Sequence, residues 1–223
     1  GDVTACDGIL ADLGFSSFQV DDPARGFSFA SPAPPDMRLD TSQPLTAADL
    51  IERSTAEELA RILREYGEEK DAWRLARNLA GRRFTSSAEL AGEIEKLKGG
   101  RRGQRIHPAT RAFQALRIAV NGELDELRAL LALAPDVVRP GGRVAIISFH
   151  SLEDRLVKET FRSSEGPCTC PPELPECRCR PIRRATPLWK GGRTADDREV
   201  ETNPRSRSAR MRVMTMIAYG DEA

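Results

Sequence analysis

The side chains best placed to do chemistry sit in two short stretches and one arm. The first stretch, DGILADLGFSSFQ from Asp7 to Gln19, reads as a strand over Gly8 to Ala11 with Asp12 at its tip. The strand runs into a polar, glycine-containing loop that carries Ser16, Ser17 and Gln19. Open α/β sheets present such side chains to ligands in the crevice outside their strand ends. The alternative for Asp12 is a carboxylate that only caps its loop. The second stretch, ISFHSLEDR, puts His150 directly after an apolar run. An imidazole there can contact a base, carry a proton or simply satisfy a backbone carbonyl. In the arm, Cys168, Cys170, Cys177 and Cys179 form C-x-C-x6-C-x-C, enough thiolates for tetrahedral zinc. Reduced thiols on a loop are the alternative, because C-x-C is tighter than the usual C-x2-C.

These residues need a frame. The run RVAIISFHS has the uninterrupted apolar character of a central parallel strand, Val144 to Phe149, entered through a Gly141-Gly142 turn. Ser151 and Asp154 have capping-box spacing, so a helix is predicted to start at that strand's end and run to about Phe161. Arg210 to Ala218 alternates as a last strand. Between the first and second stretches the pattern becomes helical. Thr46 with Asp49 and Ser54 with Glu57 predict helix starts, Trp73, Leu75, Ala76 and Leu79 mark one side of a further helix, and Ser87 to Leu97 gives another. A helix entered through His107-Pro108 follows, buried along Phe113, Leu116 and Val120. Asp21 to Asp40 holds too much Pro and Gly for a long regular element, yet Phe27, Phe29 and Met37 predict that it packs.

Composition narrows the function. The 34 basic and 34 acidic residues exclude a uniformly basic nucleic-acid coat. Residues 168 to 212, however, hold eleven basic against six acidic side chains, a local excess where a phosphate-bearing partner could dock. Arg178, Arg180, Arg183, Arg184, Arg205, Arg207, Arg210 and Arg212 are the candidates there, and Trp189 could stack on a base or pack. No run of 18 apolar residues exists, so no transmembrane helix and no membrane partner are expected. The clustered cysteines suit a reducing compartment, and a cytoplasmic location is expected.

The words DLGFSSFQ, DDPARGFSF, DMRLD, YGEE, HPATRAFQALRI, PGGRVAIISFHSLEDR and NPRSRSARMR, in this order from Asp7 to about Arg212, resemble the MraW family, also called the ribosomal RNA small-subunit methyltransferase H family. The resemblance implies an S-adenosylmethionine-dependent enzyme that methylates the exocyclic N4 amine of a decoding-centre cytosine in 16S rRNA within the small ribosomal subunit. It also implies a Rossmann-like methyltransferase sheet over residues 1–45 and 107–223, with a Cys-rich basic arm at 164–202 and an all-helical insertion at 46–106. Asp12 and Gln19 would bind the cofactor. From their places at the strand ends, rather than from the resemblance, Asp12, Ser16 and Ser17 are the candidates to accept charge developing on that amine, and His150 the candidate to contact the base.

One departure matters. The family's glycine-rich turn after its first strand, and the acidic residue after its second, have no match among the 223 residues; the glycine pairs at 99–100, 141–142 and 191–192 do not open a helix after a first strand. The expectation is therefore a partial sheet with its first strands missing, a fragment inactive alone. The competing reading is a non-catalytic RNA-binding or ribosome-assembly module of the same fold. A homodimer stays open, since nothing in the sequence selects an oligomeric state.

Overall fold

The computed structural model describes residues 5–101, 103, 106–167, 170 and 182–218. The chain divides into two compact units, Gly1–Gly14 with Leu124–Ala223, and Phe15–Glu123. Among the described residues no helix is long and apolar enough to cross a membrane.

The first unit is a mixed α/β sheet. Its strands are β1 (Cys6–Asp12), β2 (Val138–Ser148), β3 (Ala185–Pro187), β4 (Arg193–Thr194) and β5 (Arg210–Met216). They lie in the order β1-β2-β5-β3, with β4 also on β5. β1 and β2 are parallel, with Asp12 opposite Ile147, whereas β5 runs antiparallel to β2, β3 and β4. The second strand starts earlier than the predicted Val144. Cys6 pairs with Val138 and Gly8 with Arg143, so Pro140, Gly141 and Gly142 form an irregularity inside the strand rather than a turn before it. The described helices beside the sheet are α7 (Glu123–Val137), α8 (Ser151–Ser164) and α9 (Asp197–Thr202). Leu127, Leu131, Val144, Ile146, Val157, Phe161, Met214 and Met216 form the core.

The second unit is helical: α1 (Ser17–Asp21), α2 (Ala47–Arg53), α3 (Ala56–Gly67), α4 (Ala72–Leu79), α5 (Ser87–Leu97) and α6 (Thr110–Asn121). The capping box predicted at Thr46 and Asp49 is present: the Asp49 N–H donates to Thr46 Oγ1 at 3.1 Å, and the Thr46 N–H to Asp49 Oδ2 at 3.1 Å. The next box is one residue later than predicted, on Thr55 and Glu58, because the Ser54 hydroxyl donates to Leu50 O at 2.6 Å and closes the previous helix. On α4, Ala72, Leu75, Ala76 and Leu79 are buried, but Trp73 is 45% exposed and is not on that side. The helix after His107-Pro108 begins at Thr110, with the His107 Nδ1 accepting from the Ala109 N–H at 3.1 Å.

This unit is wider than the 46–106 segment read as the insertion. Met37 is 1% exposed in its core, and Phe27 and Phe29 pack against it, so the irregular segment belongs to it. Asn121 on α6 grips that segment from both sides, accepting from the Leu39 N–H at 2.6 Å and donating to Met37 O at 2.8 Å. Gly26 allows the tight fold: its φ is +67°, and a Cβ there would sit 2.4 Å from Pro34 O.

His107 is expected to make the stability of the helical unit depend on pH. Its ring stacks on Phe29 at 4.4 Å between centroids, with Nε2 3.5 Å from Glu95 Oε2. Burial, and then the nearby Arg101 charge, hold its pKa below the ordinary 6.5, against the pull of Glu95. A lowered histidine pKa contributes stability that is complete above the unfolded value and lost as pH falls below about 6.5. Thermal unfolding should therefore show a lower midpoint at pH 5.5 than at pH 7.5, roughly spanning the histidine range. His107→Asn keeps an acceptor for the Ala109 N–H and should flatten that difference; an undiminished drop would assign it to other groups.

Candidate functional site

The parallel pairing of β1 and β2 brings two predicted site residues to one end of the sheet. Asp12 ends β1 opposite Ile147, and the next residue continues the ladder, the Leu13 N–H donating to Ile147 O at 3.0 Å. The chain then turns at Gly14, whose φ of +94° few other residues adopt. Asp12 is exposed, and its carboxylate has no hydrogen bond or ion pair to the described residues. His150 lies three residues past Ile147, between β2 and α8.

His150, rather than Ser151, caps α8. Its Nδ1 accepts from the Glu153 N–H at 3.4 Å, and the Glu153 carboxylate accepts from the Phe149 and His150 N–H groups at 2.8 and 3.2 Å. These contacts satisfy donors that the helix start leaves orphaned. The His150 side chain is only 10% exposed, and its Nε2 stands 3.3 Å from Glu153 Oε1 without hydrogen-bonding geometry. Glu153 was not singled out from sequence, although the His-x-x-Glu spacing carried the signal.

Asp154 is not the partner of Ser151 either. Arg212 on β5 grips it through two hydrogen bonds, Nε to Oδ1 at 2.7 Å and Nη2 to Oδ2 at 2.9 Å, and Arg210 Nη1 is 3.6 Å from Oδ2. The predicted phosphate ligand Arg212 is thus committed inside the unit, 9% exposed. Between the start of α8 and the start of β5 lies an open cleft of about 440 Å³. Trp189 is covered by Arg193, whose guanidinium carbon lies 4.4 Å from the ring centroid.

Of the remaining predicted residues, Cys170, Arg183, Arg184, Arg205 and Arg207 belong to the sheet unit, Ser16, Ser17 and Gln19 to the helical unit, and the others fall outside the described residues. Ser16 precedes α1, and Gln19 folds back so that its Oε1 accepts from the Ser16 N–H at 2.8 Å. Its Nε2 faces Leu39 O at 3.5 Å. Ser17 opens the helix. Of the arm, Cys168, Cys177, Cys179, Arg178 and Arg180 lie outside the described residues, as does any test of a zinc site built on those cysteines.

A strand-tip carboxylate without a partner among the described residues, and a capped helix start after the neighbouring parallel strand, make the arrangement that open α/β sheets use to meet ligands. The MraW methylase family matches residues 1–217. "Ribosomal RNA small subunit methyltransferase H" of Syntrophotalea carbinolica is 51% identical over 221 residues, covering 97% of this chain and 70% of the relative. Its namesakes from Symbiobacterium thermophilum and Myxococcus xanthus are 47% and 51% identical, over 98% and 97% of this chain and 70% and 71% of theirs. With the family matching nearly end to end and half of the residues identical to such relatives, the chain belongs to the MraW methylase family.

Proposed function

We propose that this chain serves S-adenosylmethionine-dependent methylation of the exocyclic N4 amine of a decoding-centre cytosine in 16S rRNA. The relatives' name supports rRNA as substrate. The observation that carries the chemistry is the register of Asp12 opposite Ile147, with the His150-capped helix start on the neighbouring strand. S-adenosylmethionine supplies an electrophilic methyl group on a sulfonium. A solvent-facing carboxylate without a partner among the described residues suits a cationic ligand, and in this reading Asp12 attracts that charge. The glycine-rich turn that would hold the rest of the cofactor is not among the 223 residues.

The cytosine amine is a weak nucleophile because its lone pair is delocalised into the ring. Rate then comes from orientation and from acceptors that meet charge developing on the amine. Asp12 is the acceptor in this reading. His150 acts mainly as a positioning residue, because its ring is used to start α8. The base must leave its stack to reach any such site.

The test joins this chain to the glycine-rich cofactor segment of a relative and supplies labelled S-adenosylmethionine with unmethylated small subunits. Label is expected on one cytosine of 16S rRNA, as N4-methylcytidine after nuclease digestion, and none with the unjoined chain. Asp12→Asn in the joined protein should lower kcat about a hundredfold, roughly 2.7 kcal/mol of transition-state stabilisation. Label on a ring carbon or a ribose would refute the N4 assignment; a fully active Asp12→Asn would refute the role of the carboxylate.

A further inference from the structure

Helix α4 presents to solvent a face that its packing leaves unused. Ala72, Leu75, Ala76 and Leu79 complete the stripe that enters the core, and Trp73, Arg74, Arg77 and Asn78 take up the rest of the helix surface, an arc of about 140° at the ordinary turn per residue. Trp73 is 45% exposed, and among the described residues no ring or guanidinium covers it. Trp189 differs, since Arg193 already lies over its ring. From Ala72 to Arg83 the chain holds four arginines and no acid. The side chain of Arg77, one turn beyond Trp73 on the same side, has no hydrogen bond or ion pair to a described residue, and neither has that of Lys70 in the turn that enters the helix. Arg74 meets Asp71 at 3.0 Å, but the two side chains are 52% and 40% exposed, and such a pair yields readily to another anion.

We infer that this face of α4 binds unpaired RNA, Trp73 stacking on a base while Arg77, and Lys70 from the preceding turn, meet the phosphates beside it. The inference rests on the proposed rRNA substrate but not on the atom that is methylated. An open indole among cations suits a chain that alternates aromatic bases with phosphates, whereas a duplex keeps its bases stacked inside and offers the indole nothing. Singly, an exposed tryptophan is ordinary, and so is a solvated basic helix. Their coincidence on one arc, on a helix without a carboxylate of its own, selects a ligand that is both anionic and planar. The target cytosine must itself leave its stack, so the substrate is unpaired where it is handled. Stacking tolerates any base, and this face therefore holds the strand without reading its sequence.

The test uses the 223-residue chain with Trp189→Phe, which leaves Trp73 as its one tryptophan, and labelled short single-stranded RNAs of two unrelated sequences across roughly 50 to 200 mM salt. RNA should quench Trp73 emission over the same concentrations at which anisotropy reports binding, and should shield the indole from acrylamide. Trp73→Ala should weaken binding about tenfold, a loss of roughly 1.4 kcal/mol, and Trp73→Phe by less, because a phenyl ring still stacks. Arg77→Gln should lower the magnitude of the log K against log salt slope by about 0.7, equally for both RNAs, whereas Trp73→Ala should leave that slope alone. Thermal midpoints of all variants should match the parent, since the substituted side chains lie outside the core. Binding that leaves Trp73 emission unchanged, with Trp73→Ala at full affinity, would overturn the inference while the rRNA reading stands. Polyglutamate that binds as tightly as RNA and quenches as strongly would overturn it in favour of an acidic protein partner. No binding of either RNA would overturn it too; label on another atom in the methylation assay refutes the N4 assignment alone, so the two failures are separable.

Discussion

Phe84→Ala is expected to destabilise the helical unit by about 3–5 kcal/mol, the usual cost of emptying an aromatic site in a closed core. Phe84 is 1% exposed and stands first among the fully buried side chains by volume. It lies in the short connection between α4 and α5, which other bonds also hold down. The Gly81 N–H donates to Ile51 O at 3.0 Å, and Ser86 caps α5 by accepting from the Glu89 N–H at 3.0 Å. With the connection fixed at both ends, the backbone cannot collapse into the void, which argues for the upper part of the range. The Arg82 guanidinium, 4.9 Å from the ring centroid, loses its platform as well. Phe84→Leu, which keeps most of the volume, should cost under about 1.5 kcal/mol. The two tryptophans allow the effect to be located, because Trp73 belongs to the helical unit and Trp189 to the sheet unit. Urea unfolding followed through Trp73 in a Trp189→Phe background should show the loss. A change below about 1 kcal/mol would mean that Phe84 does not fill a rigid core.

The contrast between Phe84 and its surroundings explains how much of this molecule was legible in its sequence. Periodicity located the helices from α2 to α6, and the apolar run through Ile146 located the central strand, because those signals are local. Ser54-x-x-Glu57 and Thr55-x-x-Glu58 have identical spacing, and only the bond from Ser54 to Leu50 decides between them. The same ambiguity displaced the start of α8: Ser151 with Asp154 matched the sequence rule, but Asp154 is claimed by Arg212, 58 residues away. Pro140-Gly141-Gly142 reads as a turn by composition, yet the pairing of Cys6 with Val138 absorbs it into a strand. That Met37 packs was legible from its apolar side chain in an otherwise polar segment, but its φ of +59° was not. For the candidate site the division is the same. Asp12 and His150 were legible because strand tips are locally encoded, while the grip of Arg212 on Asp154 was not, since it joins α8 to a strand that starts more than fifty residues after that helix begins.

Arg212→Ala should cost about 3 kcal/mol and act on the other unit. Removing one member of a mostly buried ion pair leaves its partner's charge desolvated and unanswered, which typically costs about 3–5 kcal/mol. The lower end applies because the Asp154 side chain is 20% exposed, and because Arg210, 3.6 Å away, gives partial compensation. Arg212→Lys should recover little, since an ammonium cannot reproduce the two parallel bonds of 2.7 and 2.9 Å. Deleting both charges, as Arg212→Met with Asp154→Leu, should be closer to wild type than either single change, with a coupling energy of about 2 kcal/mol in the double-mutant cycle. Trp189 should report this unfolding and Trp73 should not, the reverse of Phe84→Ala. The pair ties the first turn of α8 to the middle of β5, opposite Ile146 of β2, and thereby fixes the helix start that His150 and Glu153 cap. Additive single changes would mean that Asp154 and Arg212 merely coexist.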